Sequence, residues 1–279
     1  MTEGTEKKAV TGQAEAPAAH RKALVTAALA LALVPGASAA PADQPFELGL
    51  AALAAKDWDK ALDLLESALA ADPDNVRYGS EYRQAAIRRA KALHPKEGKP
   101  EDWDRPLKFF ERLVAQHPAA NAYLNYGFAI VDKIPAAGAI TQVILANTAL
   151  GHFTRSLEIR PSWSGYYTRG NSYLFWPKIF GRAKLGVADL EQALNIQQEG
   201  PQKPYYVRVW VALGDAYWKA DDPAKAAETW SEGVKRFPES DALKQRLAKH
   251  GDELKEFLDD MLDPSKRVDT NLEDLWKYQ

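Results

Sequence analysis

The octapeptide Trp210-Val211-Ala212-Leu213-Gly214-Asp215-Ala216-Tyr217, with Ala226, Trp230 and Pro238 after it, constrains the fold more than any other feature of the chain. Trp210, Leu213 and Tyr217 recur at the three- and four-residue steps of one helical face, and Pro238 stops a second helix. Gly214 carries no side chain where the two helices must approach. Near the other end stand Leu48-Gly49, Trp58, Ala61, Leu65, Ala68 and Pro73, and the glycine-to-proline distance is 24 residues in both stretches. Such a unit cannot bury its apolar face alone, so a chain that repeats it must stack helix pairs.

Degenerate copies lie between these two. One has Trp103, Phe110, Leu113 and Pro118; the next Tyr123, Tyr126, Gly127, Phe153 and Pro161; the next Tyr166, Gly170, Tyr173, Leu190 and Ala193. On these residues the chain resembles the tetratricopeptide repeat proteins, over about five units. The resemblance implies an all-α, right-handed α-solenoid of helix-turn-helix repeats over residues 40–238. A C-terminal capping helix is expected over 239–263, because the last unit needs its apolar face covered. A tail follows over 264–279, with Leu272, Leu275 and Trp276 placed to dock on the body.

Departures from the repeat length mark a candidate surface. Pro73 to Pro118 is 45 residues and Pro118 to Pro161 is 43, where about 34 is expected. The surplus falls at Leu93 to Glu101 in the second unit and Asp132 to Ala146 in the third. The fourth unit has a smaller surplus near Phe175 to Gly181. All three are expected as loops between the first and second helix of their unit, projecting from one edge. The string Leu174-Phe175-Trp176-Pro177-Lys178-Ile179-Phe180 either folds back over the third unit's surplus or forms a binding patch.

The N-terminus reads as an export signal. Basic His20-Arg21-Lys22 precedes the apolar run Ala23 to Val34, then Pro35-Gly36 and Ala37-Ser38-Ala39, which predicts a cleaved leader over 1–39 and a periplasmic or secreted protein. That run is too short to span a bilayer, which takes ~20 residues, so no stable transmembrane segment is expected after cleavage. With 0 cysteines, disulfides and thiol chemistry are excluded. A net charge of -2 gives no electrostatic basis for nucleic-acid binding.

No catalytic string is present: no nucleophile elbow, no HExxH and no P-loop. The five histidines, His20, His94, His117, His152 and His250, never share a helix at ligand spacing, so incidental surface or turn positions are expected, with no metal and no cofactor. In the family the first helix of each unit lines a concave groove. Carried over, this gives Arg77, Gln84 and Arg88 from the second unit and Asn121 and Phe128 from the third. The set expected to bind a partner is Tyr167, Asn171, Phe175, Trp176, Arg208, Asp215, Trp218 and Lys219. The resemblance thus implies a non-enzymatic scaffold or adaptor for a protein or peptide partner, such as an envelope assembly factor. The alternative is an accessory protein that binds a small molecule or glycan in an aromatic-lined groove.

Overall fold

The computed structural model describes residues 42–278 except Glu97, Pro264, Arg267 and Val268; the expected leader and its cleavage point lie outside them. Side-chain caps begin several helices. Asn75 accepts from the N–H groups of Arg77 and Tyr78 at 3.1 and 3.2 Å, Ser162 from Gly165 at 3.1 Å, and Asp222 from Lys225 at 3.0 Å, satisfying donors that the first turn leaves without intrahelical partners. The helices form five pairs: α1 (Asp43–Ala54) with α2 (Trp58–Ala71), α3 (Val76–Leu93) with α4 (Asp104–Gln116), α5 (Ala120–Lys133) with α6 (Ala139–Ile159), α7 (Trp163–Tyr173) with α8 (Ala183–Gln198), and α9 (Val207–Lys219) with α10 (Pro223–Arg236). Successive pairs stack, α2 on α3, α4 on α5, α6 on α7 and α8 on α9, giving an α-solenoid with no strand among the described residues.

The helix pairs close on the small residue anticipated in the repeat. A Cβ on Gly214 would lie 2.1 Å from Trp230 Nε1, and one on Gly127 would lie 2.4 Å from Phe153 Cε1. Units one and five also share their turn. Lys56 and Asp221, each seven residues after its glycine, adopt left-handed φ values of 62° and 67°, and Asp57 and Asp222 then precede the second helices. In the second unit Tyr82 and Phe110 pack edge to face at 5.6 Å, so large rings fill that pair.

Two expectations need correction. The third unit's surplus is mostly helix: only Ile134 to Gly138 separate α5 from α6, because Ala139 to Leu150 contains neither glycine nor proline and simply continues the second helix. The capping segment is two helices, α11 (Asp241–Ala248) and α12 (Gly251–Met261), not one. Lys249 and His250 are extended and Gly251 has a left-handed φ of 54°, which re-aims the chain. Leu243 and Leu258 bury against Trp210, Ala226 and Trp230, as a cap on the fifth unit should. The tail ends in the single turn α13 (Asp274–Lys277).

Candidate functional site

The first helices α3, α5, α7 and α9 share a face, and the chain's own residues 269–276 lie along it. At one end is Arg83, fully buried on α3. Its Nε donates to Asn125 Oδ1 at 3.0 Å, Nη1 to Asp132 Oδ2 at 2.8 Å, and Nη2 to the backbone carbonyl of Thr270 at 2.7 Å. The Thr270 hydroxyl donates to Asp132 Oδ1 at 2.7 Å, and the guanidinium lies 4.8 Å from the Phe128 ring. Burial lowers the Arg83 pKa while the Asp132 charge opposes it, so the guanidinium is held charged by its pairing. At the other end Arg208 on α9 donates to Asp274 at 2.6 Å and lies 3.5 Å from Asp269. Between them Leu272 buries with Leu124 and Phe128, and Leu275 and Trp276 cover the edge of the same cluster.

Five of the eight expected partner-binding residues come together. Tyr167, Asn171, Phe175, Arg208 and Asp215 line one open depression of about 270 Å³, closed on its far side by Arg246, Met261 and Leu262. Burial pushes the Tyr167 hydroxyl up to about 12. Asp215 is committed internally: both oxygens accept from Arg246 of α11, at 2.6 and 2.7 Å, and the pair is almost fully buried. Burial raises its carboxyl above the usual range, with Arg246 opposing. Lys219 donates to the Leu174 carbonyl and Trp218 is half-buried beside the α9–α10 cluster, so neither faces the depression.

Trp176 belongs to a different place. It is buried, with the Arg182 guanidinium 3.6 Å above its ring, and with Phe175, Val131, Leu150 and Phe153 it lines an apolar cavity of about 240 Å³ between α5, α6 and the α7–α8 turn. The two readings of segment 174–180 divide along it: Leu174 and Trp176 pack inward, whereas Ile179 is 90% and Phe180 59% exposed; Ile140 and Ile144 of α6 are exposed as well.

Sequence reasoning missed Arg83. The second unit's degenerate first helix gave Arg77, Gln84 and Arg88, yet Arg77 and Arg88 are exposed, with Arg77 over the Phe46 ring. Arg83 follows Tyr82, whose ring packs on Phe109 and Phe110 of α4, and it bonds to Asn125 and Asp132 of α5 instead. His152 is also not incidental: it is half-buried, 4.1 Å from the Tyr126 ring, and burial lowers its pKa. Among the described residues no group of three or more potential ligands is placed to hold a metal, and no helix is long and apolar enough to cross a membrane.

Two tetratricopeptide repeat models match the chain, over residues 46–75 and 207–250. No curated protein sequence matches it. Among solved structures, it is similar to TTC0263, a thermophilic TPR protein of Thermus thermophilus, at 20% identity and a TM-score of 0.48, covering 74% of this chain and 97% of that one. MamA is 17% identical over 70% of this chain and 91% of its own, with a TM-score of 0.46. YrrB, described as a TPR protein with an unusual peptide-binding site, is 11% identical over 75% and 92%, with a TM-score of 0.47.

Proposed function

The chain is a tetratricopeptide repeat protein, and from that premise we propose that it is an exported, non-catalytic scaffold or adaptor that holds a partner polypeptide, such as a component of an envelope complex under assembly. The observation that carries this is the occupied first-helix face: a fully buried arginine spends one donor on a backbone carbonyl of a non-helical segment, a contact a groove can make with a polypeptide whatever its side chains. The partner surface is the groove, with the exposed apolar side chains of Ile140, Ile144, Ile179 and Phe180 as further candidate contacts. Export rests on the basic, apolar and small-residue succession of residues 20–39.

Cross-linking the mature protein in an envelope extract tests the scaffold: a stoichiometric protein adduct is expected. The alternative, a small molecule or glycan, draws on the depression beside Tyr167 and Phe175. A saturable thermal shift with a small metabolite or oligosaccharide, and no adduct, would overturn the scaffold in its favour. The intact mass of the protein recovered from its producing cells should begin near Ala40; a mass that includes residues 1–39 refutes export by cleavage.

A further inference from the structure

We propose that residues 269–276 are a cis-acting ligand of the first-helix groove, released when an acidic, leucine-bearing segment of a partner takes their place. This rests on the scaffold reading and specifies both the partner's chemistry and the regulation of the site. The occupant defines what the groove accepts: Asp269, Thr270, Asn271, Leu272, Glu273, Asp274, Leu275 and Trp276 in order. Arg208 clamps carboxylates five residues apart, and the carboxylates within its reach are both in the tail. The Thr270 carbonyl and hydroxyl meet Arg83 and Asp132, and Leu272 enters the apolar seat at Phe128.

The groove is built without the tail. Asn125 and Asp132 fix two edges of the Arg83 guanidinium, leaving Nη2 aimed at an incoming carbonyl. The tail, by contrast, is held through a few residues, Asp269, Thr270, Leu272 and Asp274. Its only helix is the four-residue α13, Leu275 and Trp276 stay partly exposed, and the side chains of Asp263, Ser265 and Lys266 before it bond only near neighbours.

The probe is a fluorescent synthetic peptide of residues 269–276, titrated into the full chain and into its Leu272→Asp variant, which undocks the tail without removing it. Because a docked tail leaves only a small fraction of grooves open, apparent affinity for the probe is reduced by that fraction. The variant is expected to bind the peptide at least tenfold more tightly than the unmodified chain, and adding Arg208→Glu to it should reverse the gain. Equal affinities, or no saturable binding by the variant, overturn the proposal. So does a concentration-dependent dimer that exchanges tails. Should Leu272→Asp lose its helical circular dichroism, hydrogen exchange on the unmodified chain decides: amides 270–276 exchanging through local opening, faster than α5 and α7, support release, and equal protection overturns it. If the peptide binds as expected but no partner protein is ever cross-linked, the scaffold reading falls and the groove assignment stands. A partner cross-linked equally well to both chains leaves the scaffold and overturns the cis ligand.

Discussion

Replacing Arg246 by methionine should destabilise the protein far more than removing the whole ion pair. Asp215 and Arg246 are each only 4% exposed at the side chain, and Arg246 also donates to the Ala242 carbonyl at 2.8 Å, so the charges are desolvated and their geometry is fixed from both sides. Breaking such a pair from one side strands a buried charge and costs ~3–5 kcal/mol, whereas a well-packed apolar replacement of both partners is close to neutral. Urea unfolding at pH 7.5 should therefore show a loss of ~3–5 kcal/mol for Arg246→Met and less than ~1 kcal/mol for Asp215→Leu with Arg246→Met. The pH dependence supplies a second check. Burial already raises the Asp215 carboxyl from its ordinary 3.8, and removing the cation raises it further. A raised folded-state pKa contributes stability that is complete below the unfolded pKa and is lost as pH rises through the folded value. The deficit of Arg246→Met must then shrink as pH falls from 7.5 toward 4. A loss under ~1 kcal/mol at pH 7.5, or one unchanged at pH 4.5, would refute the burial argument.

Three further outcomes are expected. Gly214→Ala gains up to ~1 kcal/mol of helix propensity but sets a Cβ 2.1 Å from Trp230 Nε1, so it should lower stability by ~1–3 kcal/mol net, while Gly151→Ala, with nothing within 4 Å on exposed α6, should raise it by ~0.5–1 kcal/mol in the same denaturant assay. Trp176→Ala should cost ~3–5 kcal/mol and Ile179→Ala less than ~0.5 kcal/mol, separating the packed half of the aromatic segment from the exposed half by thermal unfolding. Because burial depresses the His152 pKa below 6.5, the neutral ring contributes stability above that value which disappears as pH falls through the folded pKa; His152→Phe should flatten the stability slope between pH 7.5 and 5, and an unchanged slope refutes it.

The five pairs, their glycine contacts and the first and last turns were legible because each is set by residues within about 30 positions of one another. Gly214 and Trp230 carry their own spacing, and a cap such as Asp222 names the start of a helix. The unit-three surplus reads as a loop because proline and glycine at 135 and 138 mark a break, and nothing local says that the break ends at once and α6 begins early. Asp215 stood at a groove position by analogy, yet the charge that claims it comes from α11, 31 residues on. The groove's key group was hidden more deeply: Arg83 and the carbonyl it holds are 187 residues apart, and no helical period links them.

That long connection alters how the array behaves. In a solenoid each repeat contacts its neighbours alone, so its ends are coupled only through the units between them. The tail breaks this rule by joining Arg83 in the second unit and Asp132 in the third to Arg208 in the fifth through residues 269–274. Its departure therefore costs the array a direct tie from the second unit to the fifth along this face, and leaves Arg208 without either carboxylate. A replacement segment restores that tie only if it reaches from the Arg83 donor to the Arg208 clamp. Because Asp269 at Arg208 directly precedes Thr270 at Arg83, that reach takes two adjacent residues, and the second carboxylate five positions on adds a further contact to Arg208.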